Sequence, residues 1–180
     1  EAAALAGDAR AIGVDANALR VGLDRAGVRP LDLRCATMDE AAFNGAIRRR
    51  GSKAGASFEC VARLLRRVWE TQGAHAPRVV VDRQGGRTRY AEALRMVSAS
   101  ASVRTMGETA EASRYEILGS GVEEGRRMIV HFEVGADQTS LACALASMAA
   151  KLVRELAMAR FNRHWSARLP EVKPTAGYGV

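Results

Sequence analysis

From Ser140 to Arg160 large apolar side chains return at helical intervals. Leu141, Leu145, Met148, Leu152 and Leu156 fall on one stripe at about 100° per residue. That pattern predicts a long amphipathic helix with the stripe as its buried side, so the rest of the chain must supply a surface to cover it. Ser147, Lys151, Arg154 and Glu155 lie to one side of the stripe, within i+3 and i+4 reach of one another. The helix is entered through Gly135-Ala136-Asp137-Gln138-Thr139. Asp137 reads in two ways there, as an N-cap accepting backbone N–H bonds or as an acid left available for chemistry.

A length of 180 residues suits one domain with a real core. The residues are 48% hydrophobic but only 5% aromatic, which favours closely packed helices over a base-stacking surface. A net charge of +7 favours anionic partners, with nucleic acid the commonest. Cys35, Cys60 and Cys143 are scattered and form no C-x-x-C pair, and His75, His131 and His164 have no ligand spacing. Neither a disulfide framework nor a zinc site is expected. The longest uncharged run, Gln138 to Ala150, is 13 residues, too short for a bilayer. With no leader pattern, a cytoplasmic protein is expected. The start at Glu1 suggests a piece of a longer chain.

Taken in order, Asp15 to Ala26 reads as a helix closed by Gly27, and the alternation from Leu31 to Ala36 as a short strand. Thr37-Met38-Asp39-Glu40 fits a capping box, which accounts for the Asp39-Glu40 pair without chemistry. Arg48-Arg49-Arg50-Gly51 is either a cationic helix C-terminus or a phosphate contact, with Ser52 and Lys53 opening the next helix. In that helix Phe58, Val61, Leu64, Leu65, Val68 and Trp69 line one side up to Gly73. Val79-Val80-Val81-Asp82 predicts a buried strand ending in an acid, before a helix-like stretch through Arg95. Asp82 is either a turn former bonded to local N–H groups or a site residue beyond a strand end. Ser98 to Ser102 reads as a linker, and Arg114–Leu118 and Arg126–Val134 as paired strands, the second with Met128, Val130, Phe132 and Val134 on its apolar face.

Asp82 and Asp137 thus follow two strands, 55 positions apart. Carboxylates gathered from strand ends suit Mg²⁺ or Mn²⁺, which keep much of their water and need few anionic oxygens. A pair of such ions serves phosphodiester chemistry. No P-loop, G-x-G-x-x-G or G-x-S-x-G occurs, so nucleotide-hydrolase and serine-hydrolase classes lack support.

Gly135-Ala136-Asp137-Gln138-Thr139-Ser140-Leu141, followed by Ala144-Leu145-Ala146-Ser147-Met148-Ala149-Ala150-Lys151-Leu152-Val153-Arg154-Glu155, resembles the type 2 ribonuclease H family. That family has a Gly-Asp or Ala-Asp loop before an Ala-Ala-Ala-Ser-Ile-x-Ala-Lys-Val-x-Arg-Asp helix. Lys173-Pro174-Thr175-Ala176-Gly177-Tyr178-Gly179 is similar to its His-Lys-Gly-Tyr-Gly segment, with extra residues before the glycine. Val79 to Asp82 is similar to its strand ending in a metal-binding aspartate, and Phe43-Asn44 falls where its Ile-Asp-x-x-Asn stretch lies. The likeness covers roughly residues 15 to 180.

The resemblance implies a single α/β domain with a ribonuclease H-like mixed sheet, flanking helices and its leading strands missing. It implies a metal-dependent endonuclease acting on the RNA strand of RNA–DNA hybrids or on ribonucleotides embedded in duplex DNA. Asp82 and Asp137 become catalytic metal ligands for Mg²⁺ or Mn²⁺, and Glu155 a third ligand in place of the family's aspartate. Ser147 and Lys151 become substrate-binding groups, and Tyr178 matches the tyrosine that packs at the RNA–DNA junction. Lys53 joins them as a phosphate contact on its helix-start position rather than on the resemblance. The family's Asp-Glu-Ala-Gly motif has no counterpart here, so the 180 residues alone are expected to be inactive. The competing expectation is a non-catalytic nucleic-acid-binding relative with the same fold.

Overall fold

The computed structural model describes residues 9–175. They belong to two compact units: residues 34–150, and a second that joins the residues up to Leu33 with those from Lys151 onward.

In the second unit, α1 (Ala9–Arg25) ends as its sequence predicts. Gly27 takes φ +68°, a left-handed turn that glycine enters without steric cost. The N–H of Val28 then reaches back to the Leu23 carbonyl at 2.9 Å, satisfying an end group the helix would otherwise leave bare. Farther on, the Asn162 side-chain amide pairs with both backbone groups of Thr175, donating to its carbonyl at 2.8 Å and accepting from its N–H at 3.1 Å.

The strand expected over Leu31–Ala36 does not form: residues 28–39 hold no regular element, and Leu31 and Leu33 are each 70% exposed. Alternation specifies which face a strand would bury, but a strand also needs a neighbour for its backbone bonds, and the sheet offers this segment none.

The unit of residues 34–150 opens with α2 (Glu40–Arg50). Its cap is Asp39, whose carboxylate accepts the Ala42 N–H at 2.8 Å, so the capping residue lies two positions after Thr37. Arg48, Arg49 and Arg50 fill the last turn, where cations oppose the helix dipole, and Gly51 at φ +71° ends it. Ser52 then caps α3 (Lys53–Gln72) through the Gly55 N–H at 3.0 Å. Phe58, Ala62, Leu65 and Trp69 are the buried row of α3, whereas Leu64 faces outward.

A four-stranded mixed sheet receives that row. Its strands are β1 (Arg78–Asp82), β2 (Ala101–Glu108), β3 (Ala112–Gly119) and β4 (Arg127–Glu133), in the order β1-β4-β3-β2. β1 runs parallel to β4, and the other two pairs are antiparallel. Alternation sends Val79, Val81, Tyr115, Ile117, Met128, Val130 and Phe132 to the face covered by α3 and the short α4 (Ala91–Leu94). Tyr90 stacks flat on Phe132 with ring centroids 3.6 Å apart, and Phe58 lies 6.3 Å from the same ring. Each such buried side chain contributes about 1.5–3 kcal/mol by leaving water.

Two elements differ from expectation. The stretch expected to be helical through Arg95 shortens to α4, and the linker expected over Ser98–Ser102 passes into β2 at Ala101. β2 is an edge strand, mostly exposed, so its alternation is too faint to announce it in sequence.

After β4, Gly135 at φ +63° turns the chain into α5 (Ala136–Thr139), and α6 (Leu141–Ser166) follows. The expected burial of the α6 stripe is not found: Leu141, Met148, Leu152 and Leu156 are 53%, 68%, 49% and 53% exposed. Periodicity places these residues on one side, but burial depends on what lies opposite. No residue of α6 is buried among those described. No helix among the described residues is long and apolar enough to cross a membrane.

Candidate functional site

The site is built at the carboxyl end of the parallel pair. Asp82 closes β1 and its register partner Glu133 closes β4. Partners in register share a face, and here it is the one opposite Phe132 and Val81. The Asp82 Oδ1 accepts the N–H of Ala136 at 3.1 Å. That donor lies 54 positions away, so Asp82 is not a local turn former; it ties the end of β1 to the start of α5. The left-handed Gly135 makes the tie possible by reversing the chain immediately after β4.

Asp137, the next residue, stands exposed in the first turn of α5 with no hydrogen-bond partner among the described residues. It is not the cap of the long helix. Ser140 fills that place, its hydroxyl accepting the Cys143 N–H at 3.4 Å.

The Cys143 thiol reports on how close the acids come. Burial raises its pKa, and the charges of Asp82, Asp137 and Glu133 push it up further, while the Asp82 backbone opposes the rise. Three carboxylates are therefore within electrostatic reach of one half-buried thiol. No Lys or Arg forms an ion pair with Asp82 or Asp137 among the described residues. Among the described residues the Glu133 side chain pairs with His131, whose Nδ1 is 3.3 Å from its Oε1. Burial depresses the His131 pKa and Arg78 and Arg114 lower it further, against the opposing pull of Glu133. The imidazole is thus neutral at pH 7 and leaves the carboxylate charge in place.

Carboxylate oxygens are the donors Mg²⁺ and Mn²⁺ prefer, and Asp82 keeps one oxygen outside its bond to Ala136. Among the described residues no group of three or more His, Cys, Asp or Glu side chains is arranged to hold a metal ion. Two carboxylates, Asp82 and Asp137, fall short of the ligand set that a pair of ions needs.

The remaining expected residues are dispersed. Lys53 is exposed in the first turn of α3. α3 runs opposite to β4, since Arg126 before β4 bonds the Trp69 carbonyl at 3.0 Å while Phe58 meets Phe132 near its end. The start of α3, which carries Lys53, thus lies at the same end of the sheet as Asp82 but on the opposite face. Ser147 is exposed on α6. Lys151 and Glu155 belong to the other unit, where Glu155 accepts from Arg154 Nη1 at 2.7 Å. Tyr178 lies outside the described residues.

Glu133 and Cys143 were not anticipated. Glu133 carried a usable signal, since it ends a strand as Asp82 does; Cys143 carried none. Compared with family models, curated proteins and solved structures, the chain finds no match.

Proposed function

We propose that this chain is the cation-binding part of a ribonuclease H-like endonuclease, in which Asp82 and Asp137 hold Mg²⁺ or Mn²⁺ against the backbone of an RNA–DNA hybrid or a ribonucleotide-containing duplex. The observation that carries the proposal is the pair of acids, distant in sequence, gathered at one end of a parallel strand pair with no Lys or Arg ion-paired to them among the described residues. Carboxylate oxygens are the donors a divalent ion such as Mg²⁺ or Mn²⁺ prefers. When bound, the ion would supply Lewis acidity to a phosphoryl oxygen and a water made acidic enough to attack.

The chain's own residues have simpler duties. The Ala136 N–H fixes one Asp82 oxygen, so the other points from a rigid strand end. The neutral His131 orients Glu133 without quenching the local negative field. Lys53, from the same end of the sheet, would meet a phosphate.

Hybrid affinity with and without Mg²⁺, for the native chain and Asp137→Asn, tests this. The proposal expects Mg²⁺ to tighten binding in the native chain and to do little in the variant. Equal, Mg²⁺-independent binding by both would favour the non-catalytic relative and reject the metal role. Cleavage by the 180 residues alone is expected to be undetectable, because two acids fall short of a two-ion site.

A further inference from the structure

α2, α3 and the segment after α4 enclose an open groove of about 410 Å³ lined by Arg49, Arg50, Glu59, Arg63, Arg66 and Met96. Four guanidinium groups share it with one carboxylate, leaving three positive charges in excess. Glu59 is fully committed: Arg49 Nη2 bonds one of its oxygens at 3.0 Å and Arg50 Nε the other at 2.7 Å. Those two bonds, Arg50 first, hold its carboxyl below the usual range, so it stays charged.

Arg66 is positioned by backbone carbonyls, donating to Met96 at 2.6 Å and Val97 at 3.3 Å, which fix its direction without neutralising it. Arg63, one turn earlier on α3, is exposed and has no acceptor among the described residues. Like charges one turn apart disfavour a helix slightly, and an anion from outside would offset this.

We infer that this groove binds the phosphodiester backbone of a nucleic acid strand. The inference deepens the function proposed above and rests on its nucleic-acid ligand, but it uses none of the acid-site residues. An open groove suits a continuous polymer better than an enclosed small molecule. Pre-positioned guanidinium forks match phosphate oxygens two at a time. With no aromatic ring among the lining residues to stack a base, recognition is independent of sequence.

The test is fluorescence anisotropy of a labelled RNA–DNA hybrid in EDTA, across a salt series, with the native chain, Arg63→Gln and Arg67→Gln. Arg67 is an exposed arginine of the same helix outside the groove lining, so it controls for net charge. The groove predicts that Arg63→Gln weakens binding about tenfold and lowers the slope of log K against log salt by about 0.9. The control should change both less.

Equal losses in the two variants, or no loss in Arg63→Gln, would overturn the inference. So would poly-glutamate displacing the hybrid as well as unlabelled DNA does, which would assign the groove to an acidic protein segment. Pyrophosphate saturating the groove at micromolar concentration, with the hybrid unbound, would assign it to a small phosphate compound and equally overturn it. Circular-dichroism melts check that Arg63→Gln folds; should it not, Arg63→Lys, which keeps the charge but loses the fork, must bind more weakly than the native chain. Arg63→Gln should keep the factor by which Mg²⁺ tightens binding of the native chain, so loss of the Mg²⁺ response and loss of groove binding in EDTA report separately on the two sites.

Discussion

The face of the sheet turned away from Phe132 carries acids in two settings. At its middle, Glu116 on β3 is 2% exposed and clamped by Arg104 from β2 and Arg127 from β4. Its bond to Arg127 leads in holding its pKa below the ordinary value, with Arg104 adding to the effect against burial. At the carboxyl end, Asp82, Glu133 and Asp137 gather without any arginine or lysine ion-paired to them among the described residues. Both settings were within reach of the same arginine-rich composition. Where a buried carboxylate serves the fold, the chain supplies its counter-charge from adjacent strands; at the carboxyl end, under the function proposed above, a bound cation would supply it.

The sharpest way to break this contrast is to neutralise one acid in each setting. Asp137→Asn is expected to weaken Mn²⁺ binding by on the order of 100-fold, since even groups behind a metal ligand cost 10–100-fold. Its unfolding free energy should stay within the ordinary range for surface changes, about 0.5 kcal/mol. Glu116→Gln should do the reverse, lowering the melting temperature while leaving Mn²⁺ affinity intact. A drop in Mn²⁺ affinity for Glu116→Gln equal to that for Asp137→Asn would erase the distinction.

A smaller effect separates the two jobs of Asp82. Asp82→Ala loses the acceptor for Ala136 N–H and is expected to cost about 1 kcal/mol in urea unfolding. Asp82→Asn can keep that bond, so its stability should stay close to the native value. Equal destabilisation by both would mean the charge itself stabilises the fold, as at Glu116.

The smallest effect is a pH slope. His131 has a folded pKa below its ordinary 6.5, chiefly through burial. Its contribution to stability is therefore complete above pH 6.5 and is lost as pH falls through the folded value, where the unfolded chain takes up the proton first. Unfolding free energy measured across that window should decline toward acid, and His131→Gln should flatten the decline. Glu116 adds its own loss only below 4.5, as its clamped carboxyl is protonated.

Much of the frame was legible in the sequence. The alternation of Met128, Val130 and Phe132 gave β4 and its buried side, the apolar row from Phe58 to Trp69 gave α3, and Gly27 and Gly51 marked helix ends. Asp82 and Asp137 could be singled out because each follows a strand. What escaped was whatever depends on the partner across space. Leu31 and Leu33 alternate like a strand but have no strand to pair with, and the α6 stripe is periodic but exposed. Glu133 gained its place only through the parallel register with Asp82, and the arginine groove only through the packing of α2 beside α3.

Under the function proposed above, Asp82 and Asp137 would share one cation. Mn²⁺ titration followed by electron paramagnetic resonance, on the native chain and on Asp82→Asn and Asp137→Asn, addresses it directly. The account predicts one saturable Mn²⁺ site that each single substitution weakens strongly and that Mg²⁺ displaces. A native chain with no saturable site, or a site that survives both substitutions, would contradict it.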